Sequence, residues 1–236
     1  MTVWEPRRAR GVVLFSTGHG AWPTRYDALA RYWTQAGFAV LAPLHVDSLR
    51  HPDRESFSRE ASFPERLADR KGAGAYAARR WPGTPVAAAG HSFGTLTALC
   101  LVGAMAEAGP FRLPQVRAAL GYSTPGMIPG LVSASSYATV AVPSMIITGD
   151  RDLVPGLVTD WRDHLQPIET APAGDKYGLV LPGADHELIG HENQAEFAVA
   201  ARSGLTFLEA FGLGAASAAH SLRAAVDTPQ SRWLRR

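Results

Sequence analysis

The chain has 236 residues, of which 46% are hydrophobic, and its 23 Lys and Arg against 21 Asp and Glu give a formal net charge of +2. This length suits one α/β domain with a sizeable core, so residues 1–236 are expected to form a single domain. The balanced charge, without a cluster of basic residues interleaved with aromatics, argues against nucleic acid as a partner.

Short apolar runs alternate with helix-like segments along the chain. Strands are predicted at 12–15, 38–41, 86–89, 116–122, 144–148 and 177–181, and helices at 23–36, about 64–80, 96–101, 157–165 and about 193–211. Residues 214–236 form a tail with room for one short extra helix. This alternation predicts an α/β fold with a mostly parallel central sheet and helices on both faces.

Two irregular segments interrupt the alternation. Residues 43–62 are rich in Pro, His, Ser, Asp and Arg, and residues 123–142 are rich in Ser, Gly and Pro. Because long loops in compact domains are often functional, these two segments are expected to wall a site.

The strongest functional signal is the run Val-Ala-Ala-Ala-Gly-His-Ser-Phe-Gly at 86–94. A strand, G-x-S-x-G and a helix form the context of a nucleophile elbow, a sharp turn that exposes the serine hydroxyl. Gly90 and Gly94 suit that turn, because a residue without Cβ tolerates strained backbone and a close strand–helix approach. Ser92 is therefore the predicted nucleophile, and the alternative is an ordinary polar residue in a turn.

A serine hydroxyl is a poor nucleophile near neutral pH and needs a base, which in turn needs an orienting acid. Behind an elbow these partners follow in the order Asp or Glu, then His. Asp150 and Asp152 come directly after the strand at 144–148, and His186 comes after the strand at 177–181. Groups at the carboxyl ends of parallel strands meet at one edge of the sheet, so these side chains are candidates for the acid and the base.

Other residues compete for these roles. His191 lies five residues after His186, and His164 and His220 lie in helix-like, polar surroundings that predict solvated surface. Asp185, beside His186, is predicted to form a turn.

Four stretches make the chain resemble the α/β hydrolases, and more narrowly the bacterial branch related to predicted dienelactone hydrolases and type-II platelet-activating-factor acetylhydrolases. They are Phe-Ser-Thr-Gly-His-Gly at 15–20, Ala-Gly-His-Ser-Phe-Gly at 89–94, Ile-Thr-Gly-Asp-Arg-Asp at 147–152, and Ala-Gly-Asp-Lys-Tyr at 173–177 running into Gly-Ala-Asp-His at 183–186. The resemblance implies an α/β-hydrolase fold. No large cap insert is visible, and the antiparallel strands that often precede the first parallel strand are expected to be reduced or absent.

The resemblance also implies roles for single residues. The acid is the second Asp of Gly-x-x-Asp, here Asp152, with Asp150 as the fallback and otherwise a loop-capping residue. The base is His186.

An oxyanion hole is the third requirement of this chemistry. One backbone N–H comes from the residue after the nucleophile, Phe93. By family position the other comes from Ala21 in the loop after the first parallel strand, with Trp22 as the alternative. His19 is expected to brace this loop.

Trp22, Tyr26 and Trp161 are candidates for an aromatic wall around an acyl group or a polyester segment, although Tyr26 and Trp161 fit a place in the core equally well. No metal or cofactor is required. His45, His51 and Asp53 lie close in sequence, but their spacing fits no zinc pattern and their loop looks solvent-exposed.

The sequence therefore predicts a serine carboxylesterase that cleaves small or short-chain esters through an acyl-enzyme. Serine at the elbow departs from true dienelactone hydrolases, which the family associates with cysteine. Amidases, thioesterases and acyltransferases share the same triad, and the fold also hosts non-catalytic receptors, so these remain alternatives.

The single cysteine, Cys100, excludes an intrachain disulfide and is expected to be a small core residue. No stretch approaches the roughly 18 apolar residues of a membrane span. Residues 1–10 are polar and Arg-rich rather than an apolar signal core, so a cytoplasmic location is expected.

Overall fold

A computed structural model describes residues 1–190, 192–193 and 195–236. Within them, the strands of one eight-stranded sheet are β1 Thr2–Trp4, β2 Gly11–Ser16, β3 Phe38–Ala42, β4 Val86–His91, β5 Val116–Tyr122, β6 Ser144–Gly149, β7 Lys176–Leu181 and β8 Arg232–Arg235. They lie in the order β1-β3-β2-β4-β5-β6-β7-β8. The six central strands are parallel, and β1 and β8 add antiparallel edges. The predicted mostly parallel sheet is confirmed.

Helices cover both faces of the sheet. They are α1 Asp27–Gln35, α2 Arg59–Arg80, α3 Phe93–Cys100, α4 Gln166–Thr170, α5 Ala195–Phe207 and α6 Ala216–Ala224. In β2, Val13 and Phe15 pack in the layer under α1, α5 and α6, whereas Val12 and Leu14 pack in the layer under α2, α3 and α4. Alternate side chains of one strand thus enter opposite layers, which explains why the central strands are mainly apolar on both faces.

The structure corrects several predicted boundaries. Helix α2 begins five residues before Pro64, because the Ser58 side chain accepts a hydrogen bond from Ala61 N and caps it. The helix predicted at 157–165 is a 3-10 turn, Trp161–Leu165, followed by α4. The tail holds strand β8 besides the short helix, and β1 supplies an antiparallel strand that was expected to be reduced or absent.

Four loops at the carboxyl edge of the sheet carry the predicted site. β2 leads into residues 17–22, β4 into Ser92, β6 into Asp152 and β7 into His186. Among the described residues, no helix is long and apolar enough to cross a membrane.

Candidate active site

The turn between β4 and α3 has the geometry of a nucleophile elbow. Ser92 adopts φ 53° and ψ −121°, a conformation that side chains with a Cβ rarely take. A Cβ on Gly90 would lie 2.2 Å from the carbonyl oxygen of Gly94, and one on Gly94 would lie 2.1 Å from that of Ser16. Both positions therefore admit only glycine, as the G-x-S-x-G spacing predicts.

Asp152 and His186 lie in contact at the same edge of the sheet. His186 Nδ1 is 2.7 Å from Asp152 Oδ1. Because a carboxylate only accepts, Nδ1 donates and the neutral ring keeps Nε2 as its acceptor. This is the tautomer that a general base needs.

The Asp152 carboxylate is fully buried and surrounded by donors. Thr148 Oγ1 donates to Oδ2 at 2.7 Å, Ser123 Oγ donates to the same oxygen, and His164 Nε2 lies 2.9 Å from Oδ1. Burial by itself raises the pKa of Asp152, but the hydrogen bonds from His164 and His186 outweigh it and hold this pKa well below the ordinary value. The group is thus a permanent anion beside the His186 ring.

The neighbouring carboxylates make different contacts. Asp150 accepts from Gly183 N at 2.7 Å and pairs with Arg232 at 2.5 Å, so it caps a loop and contacts no histidine among the described residues. Asp185 accepts from Glu187 N at 2.9 Å, which is the turn-forming contact predicted for it. Of the three carboxylates, Asp152 is the one that meets His186.

Ser92 and His186 line one cavity of about 650 Å³. Within the part of the chain that the structure describes, no hydrogen bond joins the Ser92 hydroxyl to the His186 ring. Catalytic hydrogen bonds are often long before substrate binds, so this gap does not conflict with a nucleophile–base pair.

Most of the cavity wall is apolar, and both irregular segments contribute to it. The larger apolar side chains of the wall are Trp22, Leu49, Phe63, Phe93, Ile128, Leu131, Val154 and Leu157. Tyr26 also reaches the wall although it is 2% exposed. Trp161 does not line the cavity, so its place in the aromatic wall is wrong; it lies beside Arg162 and Arg232 and packs partly buried against the core, the alternative given for it.

The candidate oxyanion donors lie on either side of this cavity. Phe93 is the first residue of α3, where a backbone N–H has no intrahelical acceptor. The Ala21 N–H donates to the Gly18 carbonyl at 3.2 Å and closes a turn. The Trp22 N–H, the predicted alternative, donates to no group among the described residues. Among the described residues, the Trp22 N–H is therefore free, whereas the Ala21 N–H is engaged in a turn.

A buried Arg–Asp pair holds the loop that carries these donors. Arg66 binds both carboxylate oxygens of Asp47 at 2.7 and 2.8 Å and donates to the carbonyls of Thr17 and Gly18. Asp47 also accepts from Gly20 N at 3.2 Å and lies 2.8 Å from His19 Nδ1. His19 braces this loop, as predicted, and Arg66 holds the carbonyls of Thr17 and Gly18.

His91, the second residue of the elbow motif, links three loops. Burial and the nearby His186 ring lower the pKa of His91 to about 4, so its ring is neutral. Its Nε2 donates to the His186 carbonyl at 2.8 Å, and its Nδ1 accepts from the Tyr26 hydroxyl at 2.9 Å. Tyr26 in turn accepts from Gly18 N at 3.2 Å. This chain ties the base loop to the oxyanion loop.

The rival histidines have separate outcomes. His220 is exposed on α6, as predicted, and His191 lies outside the described residues. The prediction for His164 is wrong, because this side chain is fully buried and contacts Asp152. His45 is also fully buried, between Ser16 Oγ and Asp69 Oδ2, rather than in a solvent-exposed loop.

His45, His51 and Asp53 do not converge. Among the described residues, the one group of three potential metal ligands is Asp152, His164 and His186, whose atoms lie within 4.8 Å of one another. Separations of 2.7 and 2.9 Å between nitrogen and oxygen are those of N–H···O hydrogen bonds. Protons shared between these atoms explain the cluster without a metal.

Several residues of the site have no signal in the elbow motif. Ser123 and Thr148 stand at the carboxyl ends of β5 and β6, where strand position alone could have indicated them. Arg66 lies one residue before Leu67, which is buried on α2. A charged residue close to the apolar face of a helix is the sequence feature that could have indicated Arg66. His164 has no comparable local signal.

Comparisons with known proteins support the fold. No family model and no curated protein matches the sequence. Among solved structures, the crystal structure of TT1662 from Thermus thermophilus matches with a TM-score of 0.65 and 21% identity, covering 88% of this chain and 91% of that chain. The chain has an α/β-hydrolase-like fold. At this level of identity the likeness concerns the fold alone.

Proposed function

We propose that the protein is a serine hydrolase that cleaves carboxylic esters through an acyl-enzyme. The observation that carries the proposal is the 2.7 Å contact between Asp152 and His186, together with the cavity that His186 lines with Ser92 on its strained elbow. Ser92 attacks the carbonyl carbon, His186 Nε2 takes the hydroxyl proton, and Asp152 stabilises the imidazolium that forms. The proton then passes to the leaving alcohol, and water releases the acyl group by the same steps.

The negative oxygen of the intermediate needs donors that are already in place. We assign them to the backbone N–H groups of Phe93 and of Trp22. Ala21 is the alternative to Trp22, and its N–H becomes a donor to substrate only when its hydrogen bond to the Gly18 carbonyl breaks. Removing one such donor in other enzymes costs about 100- to 1000-fold in turnover. The Arg66–Asp47 pair supports this role, because it fixes the loop from Thr17 to Gly20.

The mainly apolar wall favours neutral esters over charged ones, because a charged acyl group would lose hydration there and Arg25, the lining arginine, already pairs with Glu187. We propose small or short-chain esters as substrates, in keeping with the resemblance to the serine-dependent branch of dienelactone hydrolases and platelet-activating-factor acetylhydrolases. No described contact favours an amide, a thioester or an acyl acceptor other than water.

Steady-state hydrolysis of p-nitrophenyl esters by the wild type and by Ser92→Ala tests the proposal. We expect multiple turnovers with the wild type and a small residual rate with Ser92→Ala, since binding and oxyanion donors alone can leave about 10³- to 10⁴-fold over water. Equal rates for the two proteins would contradict it. Binding without turnover would instead indicate a receptor.

A further inference from the structure

A second histidine contacts the acid of the site. His164 lies in the 3-10 turn Trp161–Leu165 and is fully buried. Its Nε2 is 2.9 Å from Asp152 Oδ1 and 3.0 Å from the Asp152 carbonyl oxygen. Oδ1 is the same oxygen that His186 Nδ1 contacts at 2.7 Å. One carboxylate oxygen thus serves two imidazoles.

The hydrogen-bond partners fix the proton position on His164. Thr124 N lies 3.0 Å from His164 Nδ1, and a backbone N–H can only donate. Nδ1 is therefore the acceptor of the ring, and its single proton is on Nε2, which faces Asp152. His164 donates to the acid and accepts from the segment that follows β5.

This arrangement leaves the carboxylate no freedom to turn. Ser123 and Thr148 donate to Oδ2, and His164 Nε2 contacts both Oδ1 at 2.9 Å and the Asp152 carbonyl oxygen at 3.0 Å. Without His164, Oδ1 would be held by His186 alone, and the direction of the His186 ring would depend on that one bond. In metal sites, removing the hydrogen-bond partner of a ligating side chain typically costs about 10- to 100-fold in affinity or activity, and we expect a loss of similar size here.

We propose that His164 is a positioning residue for the reaction: its Nε2–H holds Asp152 Oδ1 in line with His186 Nδ1, and so orients the His186 ring toward Ser92. This inference rests on the proposed function, in which His186 is the base for Ser92. His164 itself touches no reacting atom.

Two substitutions separate the contacts of His164 with Asp152 from its contact with Thr124. His164→Gln places an amide N–H near the position of Nε2, so donation to Asp152 is kept. His164→Asn places an amide oxygen near the position of Nδ1, so it accepts from Thr124 N but does not reach Asp152. His220→Asn makes the same change at an exposed site on α6 and is the matched control.

We expect His164→Asn to lower kcat at least about 10-fold with KM within about 2-fold, and His164→Gln and His220→Asn to stay within about 3-fold of the wild type in both. A role in packing alone would lower the free energy of unfolding more in the smaller Asn variant than in the Gln variant, but it would leave the Nδ1–H signal of His186 in place. Equal losses, or no loss in the Asn variant, would overturn the proposal.

Nuclear magnetic resonance of the full chain with ¹⁵N-labelled histidine gives a second measurement that needs no turnover. In the wild type, we expect the His164 ring to carry its proton on Nε2 and none on Nδ1. We expect the low-field Nδ1–H signal of His186 to persist in the His164→Gln variant and to move or broaden in the His164→Asn variant. A proton on His164 Nδ1 in the wild type would overturn the proposal. A wild type that hydrolyses no ester would contradict the proposed function, whereas these signals report on the His164 contact itself.

Discussion

Replacing Asp152 by Asn removes a buried negative charge while leaving the shape of the side chain nearly unchanged. The amide oxygen can still accept from His186 and His164, and the amide N–H₂ meets the hydroxyls of Ser123 and Thr148, which can rotate to accept. The protein should therefore fold, and the loss should fall on the step that charges His186.

The size of that loss follows from the geometry. His186 Nδ1 and Asp152 Oδ1 are 2.7 Å apart, which places the centres of the imidazolium and carboxylate charges about 4 Å apart. At an effective dielectric constant of about 20, two unit charges at that distance attract by about 4 kcal/mol. Losing this attraction in the transition state, where His186 is positive, lowers kcat by about 10³-fold.

Asp150→Asn is the matched control, because Asp150 caps a loop at Gly183 and pairs with Arg232 at the surface. We expect it to change kcat by less than about 3-fold, as pairs of this kind contribute little. The assay is kcat and KM on p-nitrophenyl acetate, with circular dichroism melts to show that both variants fold. A larger loss with Asp150→Asn, or more than a tenth of wild-type kcat left in Asp152→Asn, would refute the assignment of the acid.

Three further predictions concern packing, pH and substrate size. Gly94→Ala should lower the free energy of unfolding in urea by about 2 kcal/mol or more, because its Cβ would lie 2.1 Å from a backbone carbonyl. Gly72→Ala, in open space on α2, should raise that free energy by about 0.5–1 kcal/mol. The opposite ranking would contradict the elbow geometry. Burial lowers the pKa of His45 and of His91 to about 4 from 6.5, so the unfolded chain binds more protons than the folded chain below pH 6.5. The free energy of unfolding should therefore be fully present above pH 6.5 and should fall by about 2 kcal/mol per histidine between pH 7 and pH 5. Equal stability at the two pH values would contradict the neutral, buried state of these histidines. Finally, kcat/KM for p-nitrophenyl esters below the micellar limit should peak between about C2 and C6, as the walls come from loops and not from a cap; a maximum at about C10 or above would show that a loop closes over the acyl chain.

The parts of the fold that the sequence predicts are those with a strong local pattern. The six central strands are short, mainly apolar runs bounded by turn residues, and each was predicted to within two residues at either end. The edge strands β1 and β8 have only three and four residues and are half exposed, so their side chains carry no clear alternation. Pairing with β3 and β7 creates these strands, and a single segment does not reveal such pairing.

Among the residues of the site, too, those with a strong local sequence pattern were predicted and the others were not. Ser92, Asp152 and His186 each follow a recognisable strand, so position along the chain was enough to select them. His164 sits 12 residues beyond Asp152 in a polar stretch, and only the packing of the 3-10 turn under the acid buries it. Trp161, in the same turn, points away from the cavity because that turn runs with His164 inward.

Reaction with a fluorophosphonate, read by intact mass and peptide mapping, tests the central claim most directly. It asks whether Ser92 is an activated nucleophile, whatever the natural substrate. We predict one adduct per wild-type chain, located on Ser92, no adduct in Ser92→Ala, and much slower labelling of Asp152→Asn than of Asp150→Asn. Labelling of Ser92→Ala at the wild-type rate, or no labelling of the wild type under conditions where it is folded, would contradict the account.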